Sequence, residues 1–464
     1  MEVSIYNTLK LTNMTQIVTS RNNTKTDSVG QFPPITNAAL LFLIFLCLFV
    51  PTAYVLFKVS LILIILIGVS GKVYLGNVFL NRNTCYAVSA YCLFGLLNSI
   101  HGEFNGAPGA IRVLTVMALW PLFYLIFAIQ LNSQNAVRWL NSVFTVTLVA
   151  IITYSLIFLG HEFEFLPNII YFELAQGNKF GIYDGFIEYN LFSISSLLFL
   201  VPLFTHRLIC KLTVNRAIQQ KSAIIEICIL ILALILCLLS GRRALQLVIL
   251  LTPVLVISSE LILGQRVRDL INKLISWRLS VTVVAIFIGL LTFLRVFTID
   301  IDKDVALDNM LGGFDFTGGS DQSASVRYEQ YESLMRAWWN GNILFGEGNG
   351  SCTEVLRDSG DMPWSYELTY VYMLFSTGIM GVIFYTTWFG WGLIRLRHAL
   401  ALRKDLVQYI TPIVTGIFAF LIAAASNPYI GKFDYLWIVF LPHLLAGSLQ
   451  YQRTEIVGTN AVTS

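Results

Sequence analysis

The sequence contains 464 residues, of which 56% are hydrophobic and only 12% are charged. Soluble globular domains carry about 25% charged residues, so the composition excludes an ordinary soluble protein. The net charge of +3 is too small to indicate a nucleic-acid partner. Together these values indicate an all-α, polytopic membrane protein whose partners include membrane lipids.

Residues 1–36 are polar and lack the apolar core and cleavage site of a signal peptide, so we expect a cytoplasmic tail there. From residue 37 onward, apolar runs long enough to cross a membrane recur along the chain. They predict about twelve spans, the first nine within 37–298 and the last three within 365–451, followed by a cytoplasmic tail at 452–464. The predicted spans are 37–57, 59–76, 84–100, 111–131, 140–160, 187–205, 222–240, 244–264, 279–298, 365–394, 407–426 and 433–451.

The distribution of Lys and Arg among the loops predicts the orientation, because cytoplasmic loops carry an excess of both. If the N-terminus is cytoplasmic, the three densest basic clusters all fall on the cytoplasmic side. These clusters are Arg207, Lys211, Arg216 and Lys221; Arg266, Arg268, Lys273 and Arg278; and Arg395, Arg397, Arg403 and Lys404. The one large loop, 299–364, then lies outside.

The segment "SGRR" forms a short outward turn between spans seven and eight, with Arg242 and Arg243 at its end. Two arginines on the outer side depart from the positive-inside tendency. One interpretation is that they reach lipid headgroups while their stems stay in apolar surroundings. The other is an anion site, because the planar guanidinium chelates phosphate oxygens in pairs and stays charged.

The large outer loop is acidic at its start, "DIDKDVALDNM". This stretch partly matches a calcium-binding loop, but Val305 and Leu311 stand where such a loop needs glycine and glutamate. We therefore predict a solvated turn. The seven cysteines form no C-x-x-C pair and no disulfide framework. We predict no metal and no cofactor.

The middle of the loop, "SVRYEQYESLMRAWWNGN", predicts an amphipathic helix lying on the membrane, with Arg327 and Arg336 on its polar faces. Its tryptophans are typical interfacial anchors. The following "NILFGEGNGS" is a glycine-rich turn that permits close approach of the backbone to a ligand. Its glycines are Gly346, Gly348 and Gly350.

The loop ends at "MPWSYELTYVYMLFSTGIMG", which places Glu367 at the outer end of span ten. Glu367 is either an exposed interfacial carboxylate or a base that faces a site within the bundle. Competing carboxylates are Glu329, Glu332, Glu347, Glu162 and Glu164.

No nucleotide-binding or metalloprotease motif occurs. Outer arginines, a large loop and a carboxylate suit transfer of a sugar from a lipid diphosphate. Such a site must neutralise the diphosphate, position an acceptor hydroxyl and accept its proton. We expect Glu367 to act as the base and Arg242, Arg243, Arg327 and Arg336 to bind the diphosphates.

The topology from about span five onward resembles that of the Wzy-type O-antigen polymerases and the related O-antigen ligases. The matching segments are the outward "SGRR", "RYEQYESLMRAWWNGNILFGEGNG" from Arg327, "ELTYVYMLFSTGIMG" and the outer turn "SNP". The resemblance implies a glycosyltransferase of the bacterial inner membrane with a periplasmic site. It implies undecaprenyl-diphosphate-linked oligosaccharides as donor and acceptor, and a chain-length regulator as a possible partner.

One departure bears on the reaction. Ligases of this superfamily usually have a histidine where this chain has Glu367, eleven residues before Gly378. That favours a polymerase, which joins repeat units, over a ligase, which transfers finished chains to the lipid A core. A transporter of lipid-linked oligosaccharide is the alternative from another class, although no internal repeat relates the two halves of the chain.

The predicted orientation can be tested by labelling single cysteines from outside the cell. In a cysteine-free background, Ser320→Cys should react with an impermeant maleimide in intact cells and Ser222→Cys should react only after lysis. The reverse pattern would overturn the orientation.

Overall fold

The structure is a computed structural model that describes residues 35–74, 80–132, 135–167, 169–175, 178–183, 186–212, 217–264, 322–356 and 362–462. Predicted span nine and the start of the large loop, 265–321, lie outside the described residues, as does most of the N-terminal tail.

The described chain is mostly helical. Its helices are α1 (Ile35–Phe49), α2 (Val55–Tyr74), α3 (Arg82–Phe104), α4 (Ala110–Gln130, with a π turn at Thr115–Leu119), α5 (Ala136–Glu162), α6 (Phe192–Leu212, 3₁₀ over its first five residues), α7 (Ala217–Leu239), α8 (Arg243–Ile262), α9 (Gln322–Asn340), α10 (Thr369–Leu402), α11 (Val407–Ala424, after a 3₁₀ turn at Lys404–Leu406) and α12 (Phe433–Val462). An antiparallel hairpin, β1 (Lys179–Tyr183) and β2 (Phe186–Asn190), precedes α6.

Seven helices in the described ranges are long and apolar enough to cross a membrane: α2, α4, α5, α6, α8, α10 and α11, the last counted with its 3₁₀ turn. The structure therefore confirms a mostly helical chain, and these seven apolar helices are consistent with a membrane protein. The total of twelve spans stays a prediction. α6 lies at the centre of the bundle, where it packs against α7, α8 and α11. Residues 197–204 of this helix, "LLFLVPLF", are hydrophobic on all sides, and such a stretch is stable only when surrounded by protein or lipid.

Two predicted boundaries were wrong. The span predicted at 37–57 is interrupted, because α1 ends at Phe49 and the chain turns through Thr52 and Tyr54, whose φ angles are 65° and 54°. Pro51 explains the break, since the residue before a proline is disfavoured in the α region. The span predicted from 187 begins instead with strand β2, whose sequence "FIEYN" is rich in residues that favour strands.

The third correction concerns span ten, which is not one continuous helix. Gly378 interrupts α10 with φ 62° and ψ −169°. The segment 342–351 of the large loop fills this break with four backbone hydrogen bonds. These are Glu347 N to Phe375 O at 3.0 Å, Gly348 N to Ser376 O at 2.8 Å, Ile379 N to Ile343 O at 3.1 Å and Met380 N to Leu344 O at 3.0 Å.

The same segment packs against α3. Gly348 has φ 90°, and a Cβ placed on it would lie 2.2 Å from the Cα of Gly102. Asn349 donates its backbone N–H to Asn98 O at 3.0 Å and its side-chain amide to Ser99 Oγ at 3.3 Å. The segment 342–351 therefore joins α3 to the broken α10.

The predicted loop helix is confirmed as α9. Its Leu334 is fully buried in a small apolar cluster with Tyr366 and Phe375, and Trp338 packs against this cluster. The Trp338 indole N–H donates to Ile343 O at 3.1 Å, whereas Trp339 is 67% exposed. One face of α9 is thus attached to α10.

The contact between α3 and segment 342–351 predicts the effect of a methyl group at Gly102. A Cβ there would lie 2.3 Å from the backbone oxygen of Asn349, so Gly102→Ala should lower the free energy of unfolding by about 1–3 kcal/mol. Gly71→Ala is the matched control, because a Cβ at this helical glycine meets nothing within 4 Å. Thermal unfolding of the purified proteins would measure the stability of both variants. Equal melting temperatures for Gly102→Ala and Gly71→Ala would contradict the contact between α3 and segment 342–351.

Candidate functional site

Several turns meet at one end of the bundle, which we name the loop end. Thr52 N donates to Asp434 Oδ2 at 2.9 Å, Gly109 N donates to Gly350 O at 3.1 Å, and Thr369 Oγ1 donates to Asn427 O at 3.0 Å. The turns 50–54, 105–109 and 425–432 therefore lie beside the large loop, as the alternation of the predicted spans requires.

A cavity of about 1200 Å³ extends from the loop end into the bundle. It lies between α2, α4, α10 and the first turn of α12, and it follows α10 from Thr369 to Gly390. Most of its wall is aliphatic or aromatic. The aromatic lining residues are Tyr91, Trp120, Phe123, Trp364, Tyr366, Tyr370, Tyr372, Tyr385, Trp388, Phe389 and Phe433. Such a space suits a long apolar ligand.

Charged residues line this cavity only near the loop end: Lys58, Arg112, Lys432 and Asp434. The guanidinium of Arg112 lies 6.0 Å from the ring centroid of Trp364, within the range of a cation–π contact. Trp364 in turn covers Gly109, where a Cβ would lie 2.2 Å from the Trp364 ring. The first turn of α4 and the end of the large loop thus form one side of the cavity mouth.

Lys58 and Asp434 form a buried ion pair on the opposite side of the mouth. The Lys58 ammonium lies 2.6 Å from Asp434 Oδ1 and also donates to Val50 O at 2.8 Å. The residues are only 4% and 6% exposed. Breaking a buried pair typically costs about 3–5 kcal/mol, so this contact fixes α2 to the start of α12.

Arg327 and Glu367 are brought together by the fold. Arg327 Nε on α9 donates to Glu367 Oε2 at 2.6 Å, and the two side chains are 32% and 17% exposed. Glu367 lies just before α10, between Tyr366 and Thr369, which both line the cavity. Two predicted site residues that are 40 positions apart therefore form one charged group beside the cavity mouth.

Burial raises the pKa of the neighbouring Tyr366. Its hydroxyl accepts the backbone N–H of Thr353 at 2.8 Å and contacts Thr353 Oγ1 at 3.1 Å. The phenol therefore stays protonated at neutral pH and fixes the loop segment that leads to Glu367.

Arg242 lies at the loop end but is not among the residues that line the cavity. Its two terminal nitrogens donate to Ser195 Oγ, at 2.8 Å, and to Asn190 Oδ1. Ser196, which follows Ser195 in the chain, donates to Leu48 O at 2.5 Å, and its hydroxyl contacts the Tyr435 hydroxyl at 3.2 Å. Arg242 thus connects its turn to the hairpin and the start of α6. Arg243 is the first, partly exposed residue of α8.

Arg336 points away from this group. It forms an i, i+4 pair with Glu332 at 3.0 Å, in which the side chains are 70% and 56% exposed. Exposed pairs of this kind contribute little to stability. The structure therefore places Arg336 on the outer face of α9.

The three loop glycines lie close to other backbone segments of the protein, whereas the sequence predicted that they approach a ligand. Gly346, Gly348 and Gly350 have φ angles of 70°, 90° and 86°. A Cβ on any of them would lie 2.2–2.5 Å from backbone atoms of α10, α3 or the start of α4. Their proximity to substrate stays a prediction.

The competing carboxylates differ from Glu367 in their surroundings. Glu329, Glu332, Glu162 and Glu164 are exposed. Glu347 Oε1 accepts the backbone N–H of Asn342 at 3.2 Å and so closes its own turn.

The sequence placed Lys432 and Asp434 in the last outer turn but indicated no role for them, for Arg112 or for Lys58. The available signal was the position of each charge near the outer end of a predicted span. No known protein family and no curated protein sequence matches the chain. The resemblance to polysaccharide polymerases therefore rests on the topology and the short segments quoted above.

Proposed function

We propose that the protein is a polysaccharide polymerase, a glycosyltransferase that joins undecaprenyl-diphosphate-linked oligosaccharide units at the periplasmic face of the bacterial inner membrane. The observation that carries this proposal is the Arg327–Glu367 pair beside the mouth of a large apolar cavity. A polymerase must hold a polyprenyl chain, its diphosphate and an acceptor hydroxyl within reach of one base.

The cavity supports a lipid substrate. Its aromatic and aliphatic wall matches a polyprenyl chain, and its charged residues lie where the chain would meet the diphosphate. Arg112 and Lys432 bring positive charge to this mouth. An anion gains most from fixed cations where water is partly excluded.

The reaction itself requires few groups. The acceptor hydroxyl oxygen forms a bond to the anomeric carbon, the bond from that carbon to the diphosphate oxygen breaks, and the lipid diphosphate leaves with the electron pair. Glu367 accepts the hydroxyl proton. Attack from the face opposite the leaving group inverts the anomeric configuration.

Arg327 has a role at two stages of this scheme. In the structure it orients the Glu367 carboxylate through the 2.6 Å hydrogen bond. After Glu367 accepts the proton, its negative charge is lost and the guanidinium attracts the developing diphosphate anion more strongly. One arginine thus serves the base and the leaving group in sequence.

An O-antigen ligase would perform the same chemistry on a different acceptor, so the cavity and the ion pair suit both. The cavity alone also suits a transporter of lipid-linked oligosaccharide. A transporter needs no general base, and substitution of Glu367 therefore distinguishes the two classes.

Glu367→Gln keeps the shape of the side chain and removes the base. We expect loss of the polysaccharide ladder on gels while single repeat units persist, because general base catalysis contributes about 10²–10⁴-fold. Glu332→Gln is the matched control, since this exposed glutamate also pairs with an arginine of α9. A full ladder from Glu367→Gln at matched protein levels would eliminate Glu367 as the base.

Arg242→Lys tests the second part of the proposed site. Lysine keeps the charge but cannot reproduce the two-pronged contact with Asn190 and Ser195 or with a diphosphate. We expect a strong reduction of polymer. Arg403→Lys, at a partly exposed pair with Asp405 at the opposite end of the bundle, should leave polymer unchanged. Wild-type polymer from Arg242→Ala and Arg243→Ala would show that neither arginine binds the diphosphate.

A further inference from the structure

A second cluster of polar side chains lies at the opposite end of the bundle. His206 and Cys210 are four residues apart on α6, a spacing that places both on one face of a helix. Glu260 on α8 faces them. Nitrogen, sulfur and carboxylate oxygen atoms of these three residues all lie within 4.8 Å of one another. His206 is fully buried, Glu260 is 8% exposed and Cys210 is partly exposed.

The imidazole of His206 is held at both nitrogens. Nδ1 lies 2.7 Å from Thr415 Oγ1 on α11, and Nε2 lies 3.0 Å from Glu260 Oε1. Thr415 Oγ1 also lies 2.6 Å from Ser259 Oγ, which donates to Val256 O at 2.9 Å.

The hydrogen bonds can be ordered from the Val256 carbonyl, which can only accept. Ser259 donates to it, Thr415 donates to Ser259 at 2.6 Å in preference to the more distant Thr411 O at 3.4 Å, and His206 Nδ1–H then donates to Thr415. In this arrangement Nε2 presents a lone pair towards a carboxylate oxygen. Two acceptors at 3.0 Å require a cation or a proton between them.

We propose that His206, Cys210 and Glu260 bind a Zn²⁺ ion that fastens α6 to α8. Imidazole nitrogen, thiolate and carboxylate are the ligands that zinc takes in proteins, and three of them leave a fourth position for water. The hydrogen bond from Nδ1 to Thr415 is the outer contact that orients a metal-binding imidazole.

Charge balance supports a divalent ion. On binding, Cys210 releases its thiol proton to solvent, so that one thiolate and one carboxylate neutralise Zn²⁺. A neutral site is the form that a helix bundle accommodates at low cost. The nearby cations Arg207 and Lys211 both contact Glu226 on α7, so neither one pairs with Glu260 in the hydrogen bonds described here. The partly exposed Cys210 gives the ion a route from the end of the bundle.

The test uses the full chain purified in detergent, loaded with ZnCl₂ and desalted. Elemental analysis should find stoichiometric zinc in the wild type and in Cys228→Ser, whose exposed cysteine on α7 is the matched control. Cys210→Ser and Glu260→Gln should lose the metal. Zinc should raise the melting temperature of the wild type but not of Cys210→Ser.

Cobalt gives a second readout, which is made on the wild-type protein and therefore does not require a destabilising substitution. Co²⁺ added to the wild type should produce a thiolate-to-cobalt charge-transfer absorption that Cys228→Ser retains. Absence of this band, or equal zinc content in Cys210→Ser and the wild type, would overturn the proposal and leave a shared proton between His206 and Glu260.

Discussion

The break in α10 at Gly378 is the constraint on which the loop end depends. Backbone groups within a bilayer need partners, because lipid offers none. Interrupting a helix therefore requires other backbone to satisfy the exposed N–H and C=O groups, and segment 342–351 does so with four hydrogen bonds. Loop and helix are thus mutually dependent, and neither can move alone without exposing unpaired backbone.

This dependence positions the candidate site. Segment 342–351 is attached to α3 through Asn349 and to α9 through the Trp338 indole. α9 carries Arg327, and the chain that follows the segment carries Trp364 and Glu367. The ion pair and the cavity mouth are consequently held in place by loop residues, and such preorganisation is what the proposed transfer between two bound substrates would require.

Hydrophobic periodicity predicted the positions of most helices within a few residues. It failed where a local backbone preference overrides hydrophobicity: at Pro51, in the strand-forming "FIEYN", and at Gly378. A glycine within an apolar run costs a helix only about 1 kcal/mol. The break there is created by a segment some thirty residues earlier, and a local pattern cannot reveal such a partner.

The sequence predicted several residues of the candidate site, but it did not predict which of them contact one another. The sequence predicts Arg327 on a polar face of the loop helix and Glu367 at the outer end of span ten, and their 2.6 Å hydrogen bond emerges only from the fold. Arg112 was overlooked because its cavity is formed by four helices distant in sequence. His206 and Cys210 form no recognisable metal motif in the sequence, because the third residue of the cluster, Glu260, lies on another helix some fifty residues later.

Buried polar contacts close the inner end of the cavity, so a ligand could reach it only from the loop end or from the surrounding lipid. The cavity stops near Trp388, whose indole N–H donates to Ala87 O at 2.8 Å and whose carbonyl lies 3.1 Å from His443 Nε2. Beyond it, Arg395 donates to Asn81 Oδ1 at 3.0 Å and to Thr84 Oγ1 at 3.3 Å. These contacts join α3, α10 and α12 beneath the cavity. A transporter would have to break this buried network in each cycle, and every buried polar group left unpaired costs about 1–3 kcal/mol. A transferase whose substrates enter and leave at the membrane surface keeps the network intact, and this difference supports catalysis over transport.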